Sequence, residues 1–141
     1  KETFHINVYS SFLMIQESIK YMEKLRAPTI VNISSIAGRM RSLSLSCAYS
    51  SSKAAIIGMT RHLAMELSSY GIRVNCIAPG QTLTPMLDSA LSNNDQIKLA
   101  NNLPLKRLSK PDEQAEIIYF LSSSESSYIN GAIIDSNGGA L

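Results

Sequence analysis

Two apolar runs, residues 29–34 and 72–78, show no polar alternation, and a single helix-length segment separates them. A strand that reads apolar along its length is covered on both faces, the pattern of a parallel sheet. Between the runs, Ile56, Met59, Leu63 and Leu67 recur at helical spacing over residues 47–69, and Gly71 supplies a C-terminal stop. Strand, helix and strand in that order make a right-handed crossover unit. The alternation extends in both directions. Val8, Phe12, Ile15, Ile19 and Met22 predict an amphipathic helix over residues 2–26, ended by Pro28. Beyond Pro79-Gly80 the chain predicts short helices near 85–91 and 95–102, a helix over 111–122 and a last strand over 132–135. Pro111 suits the first turn of its helix, and Asp112 and Glu113 suit the positive end of the dipole. Residues 35–46 and 122–127 read as Ser-rich loops, the second with no assigned function. The expected fold is α/β: a Rossmann-like, doubly wound parallel sheet of three strands with helices on both faces. In such a sheet the site lies at the C-terminal strand ends.

Composition narrows the partners. With 141 residues, 45% of them hydrophobic and 17% charged, the chain reads as one globular domain. A formal charge of +2 points to no nucleic-acid partner. Arg39 and Arg41 come nearest to a basic cluster. They read first as solvated loop cations, with an anchor for an anionic substrate tail as the alternative. Cys47 and Cys76 make neither a disulfide framework nor a metal-ligand cluster, so no metal is expected. No apolar run approaches the roughly 18 residues that span a bilayer, so no membrane partner is expected either. Free thiols suit a reducing compartment, and a cytoplasmic protein is predicted.

The chemistry gathers between the two apolar runs. Tyr49 and Lys53 stand four apart on one helix face, with Ser35 at the end of the preceding strand. Free tyrosine has a pKa of about 10, too high for proton transfer near neutrality. A fixed ammonium nearby lowers it into a useful range. A serine hydroxyl could then hold a substrate oxygen while the phenol exchanges a proton with it. Alone, the pair reads as a solvated helix contact worth about 0.2–0.5 kcal/mol; its place between two strand ends argues for catalysis.

Ile30-Val-Asn-Ile-Ser-Ser-Ile-Ala-Gly38, Tyr49-Ser-Ser-Ser-Lys53-Ala-Ala, Gly71-Ile-Arg-Val-Asn-Cys-Ile-Ala-Pro-Gly80 and Tyr128-Ile-Asn-Gly131 with Gly138-Gly139 resemble the short-chain dehydrogenases/reductases of the classical subgroup. The resemblance implies a carbonyl/alcohol oxidoreductase using NAD or NADP, and a 3-oxoacyl-thioester reductase is one member type it suggests. By the same resemblance Tyr49 is the general acid/base, Lys53 binds the nicotinamide ribose, and Ser35 orients the carbonyl. Ser34 is the runner-up for the last role. The interval from Ser35 to Tyr49 is one residue longer than is usual in close relatives, and the extra residue is expected in loop 36–46. Asn7 matches a helix asparagine that holds a water leading from the lysine to solvent. Pro79, Gly80, Thr82 and Thr84 match the loop that contacts the nicotinamide carboxamide and the phosphates, although relatives often have Ile or Val at the Thr82 position.

The resemblance also sets expectations for the whole. Family members pair the two long helices across a dyad, and Leu13, Met14, Ile57 and Met65 are apolar positions beyond one stripe, so a homodimer or homotetramer is expected. No Gly-rich turn follows a strand and opens a helix, so the dinucleotide fingerprint is missing. Residues 1–141 are therefore expected to be the C-terminal portion of one domain, a fragment that neither folds cooperatively nor binds cofactor tightly by itself. Two other readings share parts of the pattern. One is a catalytically silent binding or scaffold remnant, which has no need of Ser35, Tyr49 and Lys53 together. The other is a sugar-nucleotide epimerase or dehydratase, whose relatives continue into a larger substrate domain.

Overall fold

The computed structural model describes residues 1–40 and 46–141. In chain order the elements are α1 (Glu2–Phe4), a π-helical stretch (His5–Tyr9), α2 (Ser10–Met22), β1 (Thr29–Ile33), a 3-10 turn (Ile36–Gly38), α3 (Cys47–Glu66) and a second 3-10 turn (Leu67–Tyr70). There follow β2 (Arg73–Pro79), α4 (Pro85–Ala90), α5 (Asn93–Asn102), α6 (Pro111–Ser122), a third 3-10 turn (Ser124–Ser126) and β3 (Ile133–Ser136). Three parallel strands make one sheet in the order β1-β2-β3.

The register shows how the layers divide. Ile30 pairs with Val74, and Asn32 with Cys76, which in turn pairs with Ile133. Successive side chains on a strand point to opposite faces. Ile30, Asn32, Val74 and Cys76 thus share one face, and Thr29, Val31, Arg73 and Asn75 the other. The first face is covered by α2 and α3. There Ile15, Leu63, Ala64, Leu67, Ile72 and Val74 form the buried core, with Ile19, Met22, Ile30 and Met59 packed against it. One buried polar contact crosses this layer, from Asn32 Nδ2 to Thr60 Oγ1 at 2.9 Å. On the second face lies α6. Thr29 Oγ1 donates to the Leu121 carbonyl at 3.4 Å, and Arg73 donates to the carbonyls of Leu121, Ser123 and Ile129 at 3.1–3.2 Å. The doubly wound arrangement expected from the sequence is therefore the one observed. β2 is buried almost throughout, whereas β1 lies at the sheet edge with Ile33 42% exposed.

The helix expected over residues 2–26 is interrupted and short. It passes through π geometry at His5–Tyr9 and closes at Met22. The Pro28 ring bars helical backbone at the residue before it, and Ala27 turns at φ 59. The Ser-rich segment 122–127 is more than a connector. Ser123 caps the turn Ser124–Ser126, and buried Ser126 donates to the Leu121 carbonyl at 3.0 Å. At the other long helix end, Gly71 takes φ 72, a conformation that closes α3 and its 3-10 extension without a Cβ penalty.

Asn75 organises the approach to β3. Its buried side chain donates to the Ile129 carbonyl at 2.9 Å and accepts from the Ala132 N–H at 3.0 Å. Asn75→Ala orphans the Ala132 N–H, at about 1–3 kcal/mol, and removes one of two bonds to the Ile129 carbonyl, which keeps its donor Arg73, at about 0.5–1.5 kcal/mol. The variant is expected to lose about 2–4 kcal/mol of stability, read as a lower urea midpoint at unchanged slope.

Candidate active site

The site is assembled where β1 ends and α3 begins. Past Ile33 the chain stays paired for one more bond, from the Ser34 N–H to the Ile77 carbonyl at 2.8 Å. Ser35 then caps the 3-10 turn: its Oγ accepts from the Ala37 N–H at 3.1 Å. A hydroxyl used as an acceptor keeps its own hydrogen to donate. Ser34 turns elsewhere, donating to the Lys53 carbonyl at 2.7 Å. That bond makes it the link between strand end and helix.

Ser46 opens α3, its Oγ accepting from the Tyr49 N–H at 3.2 Å. Lys53 follows one turn later. Its Nζ lies 5.8 Å from the Tyr49 ring centroid and donates to the Ile33 carbonyl at 3.0 Å. Burial lowers the Lys53 pKa from its ordinary value, because an ammonium taken from water loses hydration; Cys76 opposes this by charge. Burial likewise raises the Cys76 thiol, against hydrogen bonds from Ser34 and Thr60 and the charges of Lys53 and Arg39. Gly38 seats the turn directly on the helix. A Cβ there would lie 2.6 Å from the Lys53 carbonyl carbon and 2.8 Å from Ala54 N. The turn that carries Ser35 is therefore joined to α3 at Lys53, one helical turn from Tyr49, through one compact contact.

Asn7 joins them from the π-helical stretch. Its Nδ2 donates to Ser52 Oγ at 3.0 Å, and Ser52 donates to the Tyr49 carbonyl at 2.7 Å. Ser52 was not singled out by the sequence reading. It occupies the third position after Tyr49, where a small hydroxyl on the buried helix face was the available signal. Asn7 thus reaches Tyr49 and Lys53 through the helix backbone beside them.

The loop after β2 stands at the neighbouring strand end. Pro79 is the last residue of β2, and the Gly80 N–H donates to the Ser136 carbonyl at 2.8 Å. Thr82 is committed inside the protein: its Oγ1 pairs with Ser109 Oγ at 2.8 Å, within a bridge between those two residues. Thr84 caps α4 by accepting from the Leu87 N–H at 3.3 Å. The hydroxyls of Thr82 and Thr84 are thus both used locally. Arg39 departs from the expectation of a solvated loop cation, since it forms a two-bond ion pair with Asp135. Arg41 and residues 42–45 of the loop placed at 36–46 lie outside the described residues. Among the described residues no group of three or more His, Cys, Asp or Glu is placed to hold a metal ion. Nor is any described helix long and apolar enough to cross a membrane.

Comparison with known proteins gives one consistent answer. A family described as Enoyl-(Acyl carrier protein) reductase matches residues 1–140. The protein FixR of Bradyrhizobium diazoefficiens is 41% identical over 96% of this chain and 47% of its own length. A 3-oxoacyl-(acyl-carrier-protein) reductase of Thermotoga maritima is 40% identical over 97% of this chain and 55% of its own. Among solved structures, a 3-oxoacyl-(acyl-carrier-protein) reductase from Brucella melitensis with bound NAD superposes with a TM-score of 0.81. That protein is 41% identical, and the match covers 94% of this chain and 48% of that one. The chain spans about half the length of the curated relatives it matches.

Proposed function

The chain belongs to the short-chain dehydrogenase/reductase family, and on that premise we propose that the protein carrying it is an NAD- or NADP-dependent oxidoreductase interconverting a carbonyl and a secondary alcohol. The favoured substrate class is a 3-oxoacyl thioester, in line with the reductases among its relatives. One observation carries the reading: the Lys53 ammonium sits one helical turn from Tyr49, on the same strand end as the Ser35 hydroxyl.

The residues present suit a nicotinamide nucleotide. An ammonium has three N–H donors, and the bond from Lys53 to the Ile33 carbonyl leaves two for the ribose hydroxyls. Pro79 and Gly80 offer backbone at the adjacent strand end. Thr82 and Thr84 belong to the same loop; we assign Thr82 backbone contacts because its hydroxyl is engaged within the protein, whereas the Thr84 hydroxyl only accepts and keeps its hydrogen to donate. The pyrophosphate contacts are assigned to sequence other than these residues, since no Gly-rich turn here follows a strand and opens a helix.

When bound, the nicotinamide supplies or accepts the hydride. In the reductive direction Ser35 donates a hydrogen bond to the carbonyl oxygen, and Tyr49 gives that oxygen its proton. Donors fixed on the developing oxyanion stabilise it without reorganisation. Lys53 favours the phenolate left on Tyr49, and Asn7 leads the replacement proton in from solvent by way of a water. The test is nicotinamide oxidation with acetoacetyl-coenzyme A as the carbonyl substrate, backed by a panel of simple ketones. Cofactor binding without turnover of any of them would leave a binding protein and sink the reading.

Assembly and compartment extend the proposal. Leu13, Met14 and Met65 are 39–70% exposed, and Phe4, Val8, Phe12 and Met59 line an apolar hollow of about 750 Å³ beside them. Such a surface supports pairing of two copies as a homodimer or homotetramer. Ile57 does not contribute, because it is buried in the chain's own core. Free Cys47 and Cys76 support a cytoplasmic location.

A further inference from the structure

Arg39 leaves the turn that carries Ser35 and reaches across the sheet end to the third strand. Its Nε donates to Asp135 Oδ1 at 3.0 Å and its Nη2 to Oδ2 at 2.7 Å, a parallel fork between residues 96 apart in sequence. Asp135 pairs in register with Ala78, two residues past the Cys76–Ile133 pair. By strand alternation its side chain is on the α3 face of the sheet, the face that holds Lys53 and the serine turn. The fork thus spans β2 and ties the C-terminal ends of β1 and β3 together.

We propose that Arg39 and Asp135 are a positioning clamp for Ser35. The proposal rests on the role given to Ser35 above. The turn has two flanks. On one, Gly38 lies against the backbone of Lys53 and Ala54, and Ser34 bonds to the Lys53 carbonyl. The remaining backbone bonds of the turn are internal: Gly38 N–H to the Ser35 carbonyl, and the N–H groups of Arg39 and Met40 to the Ile36 carbonyl, at 2.9–3.1 Å. These shape the turn, which is tied to the sheet at its entry by the Ser34 N–H to Ile77 carbonyl bond, without fixing its far end. The Asp135 carboxylate supplies the second flank. Both side chains are about 30% exposed, so solvent screens the attraction only in part, and the two-bond geometry fixes direction as well as distance. Lysine cannot reproduce that planar fork. An Arg39 held in this way is not offered to an anionic substrate.

Arg39→Gln, Asp135→Asn, Ser35→Ala, the Arg39→Gln/Ser35→Ala double variant and the Arg39→Asp/Asp135→Arg exchange test the clamp. Turnover is followed with acetoacetyl-coenzyme A and NADPH or NADH. Displacement of a positioned group by about 1 Å can cost as much as about 10²-fold, so each clamp variant is expected to lower kcat by about 10- to 100-fold. The KM for cofactor should stay near the wild-type value. The exchange should restore most of the loss, and the double variant should be no slower than Ser35→Ala alone. Independently of turnover, hydrogen exchange at the Ala37 and Gly38 amides should quicken in both single clamp variants and slow again in the exchange. Wild-type kcat in the single variants, additive losses with Ser35→Ala, or unchanged amide exchange would overturn the clamp while leaving the role of Ser35 intact. Undiminished turnover in Ser35→Ala would overturn that role, and the clamp with it.

Discussion

Tyr49→Phe is expected to remove roughly 10²–10⁴-fold of turnover, the usual contribution of a general acid/base, with the cofactor still bound. The structure separates these two effects. Among the described residues the Tyr49 hydroxyl makes no hydrogen bond within the protein, so its loss leaves no buried partner unsatisfied. The ring remains to pack at the start of α3, where Ser46 caps the backbone of Tyr49 and not its side chain. Lys53 keeps its bond to the Ile33 carbonyl, which does not involve the phenol. Thermal stability and cofactor affinity should accordingly stay close to wild type while kcat collapses. Stopped-flow measurement of the hydride step, with NADH or NADPH titrated by fluorescence, reads both quantities. A kcat within about tenfold of wild type would rule out Tyr49 as the essential acid/base.

How much of this was legible in the sequence depends on the distance over which each feature is encoded. β1, α3, β2 and α6 follow from local pattern: apolar runs, a 3.6-residue period, Pro111 at a first turn and Gly71 at a stop. Tyr49 and Lys53 lie within one helix, so their spacing predicts their meeting. Ser35 comes to them because a strand end and the next helix start are close in any crossover unit. Other features have no local signature. The π geometry at His5–Tyr9 adds a residue to a turn without altering the apolar period enough to be read, although it is this stretch that turns Asn7 toward Ser52. Ile57 reads as a second-face residue by helical phase, yet it is buried within this chain. The Arg39–Asp135 and Thr82–Ser109 contacts depend on which strand ends and loops the topology makes adjacent. Their partners are polar residues in loops and at a strand end, where sequence pattern carries least information about neighbours.

Gly38→Ala is expected to damage stability and catalysis together, for a reason unrelated to backbone strain. Gly38 has ordinary negative φ, so alanine meets no conformational barrier; what it meets is the helix. The added methyl would stand 2.6 Å from the Lys53 carbonyl carbon, 2.8 Å from the Lys53 oxygen and 2.8 Å from Ala54 N. All three are backbone atoms of α3, which cannot rotate aside as the end of a side chain can. Either the turn lifts or the helix retreats. Lifting the turn strains the 2.7 Å bond from Ser34 Oγ to the Lys53 carbonyl and carries Ser35 with it, because the Gly38 N–H is bonded to the Ser35 carbonyl. Retreat of the helix moves Tyr49 and Lys53 instead. In both cases the serine separates from the tyrosine and lysine, the geometry on which the proposed proton transfer depends. Overpacking of this kind costs about 1–3 kcal/mol, and the misplacement is expected to reduce kcat by about 10²-fold. Chemical denaturation and steady-state kinetics on the same preparation measure the two losses. A Gly38→Ala protein with wild-type stability and kcat would mean that turn and helix have room to part, and that their close approach is not what holds the site together.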